Sequence, residues 1–334
     1  MDDVLPRSIG RKTTLEGLRQ RLALEVPRPA QLTRNEFDAL DEVAQASYDD
    51  ERMQWFSNGL MVQTPELRSL VRVGMSLLQR YNPAAVGERG IVLTGPAHVG
   101  KTTALVHLAA KTEQWVGKRD PAFKQQGQAP VAYIEMEPKA TPKSIASSIL
   151  NFYGIPHAFR SATQHQLTNL ALDALRRHRT RMLIIDELQM LKLDGKSGDD
   201  AINSLKTIMN DSGAICVFAG VDLQTGLSSR AAEQIIARCT VIGMRPFSGS
   251  TETLRGQWAA LIESLGGAMN LLDCEDNHLA PFADLLLSMS NGKIGDLRSV
   301  LSLAMSEAIE LREEVGQEVV TQDTLLGFSQ IGVA

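Results

Sequence analysis

One glycine-bearing segment has the residue types and spacing needed to bind phosphate groups. Residues 95–102 read GPAHVGKT and satisfy the pattern G-x-x-x-x-G-K-[ST], between an apolar run at 90–94 and a helical pattern. Backbone N–H groups of such a loop, and the positive end of the helix after it, surround phosphates. We expect Lys101 to reach the β and γ phosphates of ATP, and the Thr102 hydroxyl to coordinate Mg²⁺. The residues expected to hold the nucleotide are Gly95, Pro96, Ala97, His98, Val99, Gly100, Lys101, Thr102 and Thr103.

A second motif consists of an apolar run that ends in two carboxylates. Residues 182–187 read MLIIDE. A strand buried on both faces would present Asp186 at its carboxyl end, where α/β sheets bind ligands. We expect Asp186 to hold Mg²⁺ through water and Glu187 to orient or polarise the attacking water. The two motifs together predict a Mg²⁺-dependent ATPase that hydrolyses ATP to ADP and phosphate, with Lys101 and Glu187 as catalytic residues.

Arginines are the next candidates, because ATP hydrolysis is often completed by an arginine that neutralises transition-state charge. Arg238 lies immediately before a predicted strand at 240–244, and Arg230 lies one helix earlier. We expect Arg238 to act on the site of a neighbouring subunit, although the sequence does not exclude Arg230. The alternative for Arg238 is a helix-end arginine stabilised by the helix dipole. Arg298, in the first turns of a later helix, is expected to reach the γ-phosphate, an ordinary surface position being its alternative.

The elements that must position these residues alternate along the chain. Strands are predicted at 90–94, 131–135, 182–186, 214–219 and 240–244. Helices are predicted from 65 to near 81–83, from the phosphate loop onward, and at 142–153, 166–177, 201–210 and 231–237. Short continuous apolar strands separated by helices indicate an α/β fold with a parallel five-stranded sheet flanked by helices.

The regions outside this sheet complete the predicted organisation. After Pro246 only helical periodicity continues, which predicts a small all-helical lid. We therefore predict a partly helical N-terminal extension at 1–60 that could bind a partner, an α/β ATPase domain at 61–247, and the lid at 248–334.

Composition restricts the classes of protein and the cellular location. The chain has 334 residues, of which 43% are apolar and 22% charged, and a net charge of −5. No apolar run approaches the roughly 18 to 20 residues that a membrane span needs. The N-terminus lacks the apolar stretch of a signal peptide, and three widely spaced cysteines fit a reducing cytoplasm without disulfides or a zinc site. We expect a cytoplasmic protein with no membrane association.

The motifs taken together resemble the AAA+ ATPases over about residues 60–330. The segment PKATPK at 138–143, the helix after it, GIP at 154–156 and DELQML at 186–191 look like the corresponding parts of the TniB/TnsC transposition ATPases. One departure is the end of the fourth strand, where relatives carry a polar sensor and this chain offers only Asp222. The resemblance implies the AAA+ type of P-loop NTPase fold.

The same resemblance implies a function. It is that of an ATPase which assembles on double-stranded DNA in an ATP-dependent way, as a homo-oligomeric ring or helical filament. Such proteins recruit a transposase, and sometimes a target-selector protein, and help select the target site. Hydrolysis would control disassembly.

DNA contact has only local support from the residues themselves. Lys139, Thr141 and Lys143 lie in a loop that opens a helix, and Arg119 follows the phosphate-loop helix. These side chains suit backbone phosphates and would bind duplex DNA without sequence preference. By themselves they fit a solvated loop better, one in which Thr141 caps a helix, because isolated charges in loops are usually only solvated. The resemblance favours DNA contact at Lys139 and Lys143.

Two other functions are compatible with the sequence. One is an AAA+ regulatory or signalling ATPase that acts on protein partners through residues 1–60 without binding DNA, which the acidic net charge favours. The other is a component of a motor or clamp loader, suggested by the sequence ARC at 237–239.

Overall fold

The structure is a computed structural model that describes residues 10–80, 90–191, 196–223, 230–275 and 277–329. These residues form two units. The first comprises the chain up to Leu24 together with Thr64–Met244, and the second comprises Glu25–Gln63 together with the chain from Arg245 onward. The chain therefore enters the second unit twice.

A parallel five-stranded sheet forms the centre of the first unit. Its strands are β1 (Gly90–Thr94), β2 (Val131–Glu135), β3 (Met182–Asp186), β4 (Ile215–Gly220) and β5 (Cys239–Gly243). Their order across the sheet is β2-β3-β4-β1-β5, and all neighbours are parallel. Every residue of β1, β3 and β4 is buried, because helices cover both faces. The predicted sheet is confirmed, with β4 and β5 each displaced by one residue from the predicted bounds.

Helices surround this sheet. They are α1 (Leu15–Ala23), α4 (Pro65–Gln79), α5 (Lys101–Gly117), α6 (Pro142–Phe152), α7 (Gln164–Arg177), α8 (Lys196–Asp211) and α9 (Arg230–Ile236), counted in chain order with α2 and α3 of the second unit. Thr64, Thr141 and Thr163 accept a backbone N–H at the starts of α4, α6 and α7. The cap at Thr163 explains why α7 begins two residues earlier than predicted. The predicted end of α4 near residues 81–83 lies outside the described residues.

The second unit is helical in the described ranges. Its helices are α2 (Arg34–Asp38), α3 (Glu42–Gln54), α10 (Glu252–Met269), α11 (Ala283–Ser290), α12 (Ile294–Glu310), α13 (Arg312–Val315) and α14 (Gln322–Ser329), with a π-helical turn at Trp55–Gly59. Phe56 is fully buried in one apolar cluster with Trp258 of α10 and Leu301 of α12. Across the ranges described in both units, no helix is long and apolar enough to cross a membrane.

The predicted domain boundaries require a correction near the N-terminus. Residues 25–63 pack with the C-terminal helices instead of forming part of a separate extension at 1–60. The fully buried Arg52 shows the physical reason, since its Nη2 lies 2.7 Å from Glu318 Oε2 and 2.6 Å from Asp49 Oδ1. Burial acts to lower the pKa of Arg52, but the hydrogen bonds and charges of Glu318 and Asp49 raise it on balance. A buried ion pair therefore joins residues 25–63 to the C-terminal part of the chain.

Candidate nucleotide site

The loop between β1 and α5 has a backbone that strongly favours glycine at two positions. Gly95 has a φ of +156°, and a Cβ there would lie 2.2 Å from the carbonyl oxygen of Met244. Gly100 has a φ of +92° and caps α5 in a left-handed conformation. The two glycines of the motif are thus required by the fold, and they let the chain turn directly from the sheet into the helix.

Lys101 begins α5 and points back over this loop. Its Nζ donates to the carbonyl oxygens of Gly95, at 2.9 Å, and Pro96, at 2.7 Å. Burial lowers the pKa of Lys101, whereas the nearby carboxylates, Glu187 first among them, act in the opposite direction. The first N–H groups of α5 have no acceptor within the helix. An ammonium and a helix N-terminus therefore converge where the sequence analysis expects the β and γ phosphates.

Asp186 ends β3 and is almost completely buried, with 1% of its surface exposed. Its Oδ2 accepts hydrogen bonds from Tyr133 Oη at 2.5 Å and from Thr102 Oγ1 at 3.2 Å, and its Oδ1 accepts the Glu187 N–H at 2.9 Å. Thr102 and Asp186 are thus brought together, although they lie in separate motifs. A hydroxyl and a carboxylate are oxygen ligands suited to Mg²⁺, so the residues present fit the metal.

Tyr133 is a member of this site that the sequence analysis missed. It lies in the middle of β2, two residues before Glu135, which pairs in register with Asp186. Burial, followed by the charge of Asp186, raises the pKa of Tyr133, so the phenol keeps the proton that it donates to the carboxylate. The available signal was a tyrosine among the apolar residues of a predicted strand, two positions before an acid at its carboxyl end.

Glu187 is held in place by a second residue that the sequence analysis did not single out. Its backbone is left-handed, with a φ of +59°. Gln189 donates from Nε2 to Glu187 Oε2 and accepts the Val221 N–H, at 3.0 Å, on its Oε1. Gln189 therefore connects Glu187 to the end of β4. An acid held in a fixed orientation can polarise a water molecule more effectively than a mobile one.

Asp222, the candidate for the sensor after β4, lies close to the same group of residues. It has a left-handed φ of +47° and follows the residue that Gln189 binds. Its charge acts to raise the pKa of Lys101. The role of sensor stays a prediction.

The N-terminal segment contributes a cation to the same carboxylates. Lys12 Nζ lies 2.7 Å from Glu135 Oε1 and 3.6 Å from Asp186 Oδ2. Lys12, Glu135 and Thr102 line a cavity of about 760 Å³. The sequence predicts at residues 1–60 an extension that could bind a partner, and it predicts no role for Lys12, because this contact joins distant parts of the chain.

Arg238 lies at the amino ends of the strands, whereas the phosphate loop of its own chain lies at their carboxyl ends. Cys239, the next residue, pairs with Gly90 at the amino end of β1, whereas the loop follows the carboxyl end of that strand. The five residues of a strand separate these two ends by about 16 Å. Arg238 is exposed, and its Nη1 donates to Asn210 Oδ1 at 2.8 Å. An action on a neighbouring subunit stays a prediction, and the side chain of Arg230 lies outside the described residues.

Arg298 has a structural role in the second unit. Its Nη2 donates to the carbonyl oxygens of Phe56, at 2.8 Å, and Ser57, at 2.6 Å. Burial lowers the pKa of Arg298. The side chain is thus half-buried and engaged with the π-helical turn, unlike the ordinary surface arginine that was the alternative. Its contact with the γ-phosphate stays a prediction.

The four residues considered for DNA contact do not all lie at the same end of the sheet. Lys139 is exposed in the loop after the carboxyl end of β2, and Lys143 Nζ lies over the Phe159 ring, 5.4 Å from its centroid. Thr141 caps α6 through the Ser144 N–H, at 3.2 Å. Arg119 lies beyond the far end of α5 and stacks on Trp115, with 3.7 Å from its Cζ to the ring centroid. The structure therefore separates Arg119 from the other three.

Comparisons with known proteins agree with this architecture. Residues 85–224 match the family model described as an AAA domain. No curated protein matches the chain. Among solved structures, the chain is similar to the ORC1 protein of Aeropyrum pernix in complex with DNA, at 17% identity over 83% of this chain and 68% of that chain, with a TM-score of 0.58.

Two further structures show the same likeness. The ORC2 protein of Aeropyrum pernix in ADPNP and ADP complexes has 17% identity over 82% of this chain and 69% of that chain, with a TM-score of 0.56. The Drosophila ORC bound to DNA has 14% identity over 92% of this chain and 71% of that chain, with a TM-score of 0.56. At these identities the likeness establishes the fold, which is the AAA+ type of P-loop NTPase.

Proposed function

We propose that the chain is a Mg²⁺-dependent ATPase that assembles on double-stranded DNA. The observation that carries the ATPase is the juxtaposition of Thr102 with Asp186 and of Glu187 with Gln189. Thr102 and Asp186 would hold Mg²⁺, which neutralises charge on the phosphates when bound. Lys101 would bind the phosphates, and Glu187 would orient the attacking water and accept its proton.

Assembly into a homo-oligomer is supported by the position of Arg238. An exposed arginine about 16 Å from its own phosphate loop does not reach its own site, so any action of Arg238 on hydrolysis would be on the site of another subunit. Arg238 would then neutralise transition-state charge across a subunit boundary. Hydrolysis in a ring or filament built this way would depend on assembly.

DNA binding is supported by three exposed or partly exposed groups at one end of the sheet. Lys139 and Lys143 lie near the N-terminus of α6, where cations and a helix dipole suit backbone phosphates. Two structurally similar proteins were solved with DNA, the ORC1 protein of Aeropyrum pernix and the Drosophila ORC. The Thr141 hydroxyl already accepts a hydrogen bond as the cap of α6. DNA contact at this position would therefore be made by the exposed loop around Thr141.

The finer proposal is a role in transposition. The resemblance of residues 138–156 and 186–191 to the TniB/TnsC ATPases supports an ATPase that recruits a transposase, and possibly a target-selector protein. Hydrolysis would control disassembly and so the time available for target selection. A gene for an integrase-type transposase beside this gene would support that role.

The alternative is an ATPase that acts on protein partners without DNA. The net charge of −5 and the position of Arg119, away from Lys139 and Lys143, favour it. Electron microscopy with duplex DNA and a non-hydrolysable ATP analogue separates the two functions. Ordered rings or filaments that require both ligands support the DNA-bound assembly. Assemblies that form with nucleotide alone and ignore DNA support the alternative.

A further inference from the structure

Lys12 occupies a position among the carboxylates on the metal side of the nucleotide site. Its Nζ lies 2.7 Å from Glu135 Oε1, 3.6 Å from Asp186 Oδ2 and 5.0 Å from the centroid of the Tyr133 ring. The Lys12 side chain is only 18% exposed. An ammonium with this little access to water depends on the oxygens around it. Lys12 is therefore anchored by Glu135, which ends β2, and makes a second, longer contact with Asp186, which ends β3.

The segment that carries Lys12 is attached to the first unit at several points. The Gly10 N–H donates to Gln20 Oε1 at 3.0 Å, and the Thr14 side chain caps α1. Arg19 of α1 donates from Nη2 to the carbonyl oxygen of Gln128 at 2.7 Å. Lys12 thus reaches Asp186 from an ordered turn, and α1 has an attachment of its own that does not involve the nucleotide site.

Lys12 approaches Asp186 on the oxygen that faces Thr102, where the proposed metal would bind. Asp186 Oδ2, which lies 3.6 Å from the ammonium, also accepts the hydrogen bond from Thr102 Oγ1, the other expected metal ligand. Two cations a few ångströms apart in a largely buried site repel each other strongly. The ammonium and the metal ion cannot both hold their best positions at Asp186.

We propose that Lys12 is a tethered cation that competes with Mg²⁺ for Asp186. The inference rests on the proposed Mg²⁺-dependent nucleotide binding. Binding of Mg²⁺ with nucleotide displaces Lys12 from Asp186 by repulsion and makes residues 10–14 more mobile, while α1 stays attached through Arg19. Lys12 thereby raises the Mg²⁺ concentration needed to fill the site and links the metal to the N-terminal segment, since such coupling is reciprocal.

The first test measures binding, with fluorescent mant-ATP titrated with Mg²⁺. Lys12→Met is expected to lower the half-saturating Mg²⁺ concentration by about tenfold, a coupling within the usual range. Lys12→Arg keeps the cation and is expected to stay near the unsubstituted protein. Arg11→Met is the matched control, because Arg11 is an exposed neighbour in the same cavity lining. An unchanged or raised Mg²⁺ requirement in Lys12→Met overturns the proposal.

The second test needs no substitution. Amide hydrogen exchange of residues 10–14 is expected to become faster when Mg²⁺ and nucleotide are both added, and to stay slow with nucleotide in EDTA. Unchanged or slower exchange on adding Mg²⁺ overturns the proposal. If the unsubstituted protein does not bind mant-ATP at any Mg²⁺ concentration, the proposed ATPase function is wrong. The proposed competition between Lys12 and Mg²⁺ then has no basis. Binding with equal Mg²⁺ requirements in all variants contradicts the role of Lys12 alone.

Discussion

Gln189 donates a hydrogen bond to the carboxylate of Glu187 and accepts one from the Val221 N–H. The residue expected to activate water is thereby fixed to the end of the neighbouring strand. Because Gln189 acts through its hydrogen bond to Glu187, it is a positioning residue for the proposed hydrolysis.

Gln189→Ala should slow ATP hydrolysis by about tenfold, a part of the 10²- to 10⁴-fold that an oriented general base contributes. The affinity for nucleotide should hardly change, because Lys101 and the loop stay intact. Steady-state hydrolysis and mant-ATP binding, measured together, check this. Gln189→Glu, which places a like charge beside Glu187, should be at least as slow. A loss of nucleotide affinity without a change in kcat would contradict the positioning role.

Glu187→Gln should retain nucleotide binding and lose hydrolysis by about 10²- to 10⁴-fold, since the amide cannot accept a proton from water. Lys101→Ala should abolish nucleotide binding, because the cation over the phosphate loop is removed. Equilibrium binding and single-turnover hydrolysis separate the two effects. Normal hydrolysis by Glu187→Gln would show that water activation lies elsewhere.

Arg238→Ala should abolish hydrolysis in the assembled protein without weakening nucleotide binding, because the arginine lies far from its own loop. Mixing it with Lys101→Ala should restore part of the activity, since a mixed interface joins an intact phosphate site to an intact arginine. Asn210→Ala removes the partner of Arg238 within the chain and serves as the matched control, with activity expected to persist. Without rescue in the mixture, the action across subunits would lose its support.

Arg52→Met should destabilise the helical unit by about 3–5 kcal/mol, because it leaves the fully buried Glu318 without its main partner. The double substitution Arg52→Met with Glu318→Met should cost less, and it retains the pair between Arg312 Nη1 and Asp49 Oδ2 at 2.7 Å. Urea unfolding followed by circular dichroism gives the free energies of unfolding. A double variant less stable than the single one would indicate that packing, and not the unpaired charge, dominates.

Asp273 should make the stability of the same unit depend on acidity. Burial acts to raise the pKa of Asp273, but hydrogen bonds from Arg34 and from the Glu318 N–H, at 2.7 Å, lower it on balance below its ordinary 3.8. A lowered folded-state pKa stabilises the fold above the unfolded value, and that stabilisation is lost as the pH falls through the folded value.

Asp273→Asn should therefore be less stable than the unsubstituted protein by about 1 kcal/mol at neutral pH. The difference in unfolding free energy should be constant from pH 6 to 8 by this linkage and shrink below about pH 4. Urea unfolding across this range measures it. A difference that does not vary with pH would show that the carboxylate charge is not what stabilises the contact.

The sheet and the two nucleotide motifs were predictable because each is encoded in a contiguous stretch. Short, mostly apolar runs predicted β1, β2 and β3 with the bounds found in the structure. The glycines of the phosphate loop are explained by backbone requirements within that loop and beside it. Thr141 and Thr64 were likewise predictable as caps, since a cap is a contact between residues three apart.

Other features depend on contacts between residues far apart in the chain, which local pattern does not encode. Tyr133 and Lys12 reach Asp186 only because β2 pairs with β3 and α1 packs beside them. Arg298 resembles a solvent-facing helix residue in sequence, yet it binds the Phe56 carbonyl.

The sequence alone determined that this protein has a phosphate loop followed by an acid pair on a parallel sheet, because hydrophobic periodicity and backbone constraints act within short segments. The tertiary structure alone decided that Gln189 binds Glu187, that Lys12 lies beside Asp186, and that residues 25–63 complete the helical unit. These relationships result from burial, which forces polar groups removed from water to find partners wherever the fold has placed them.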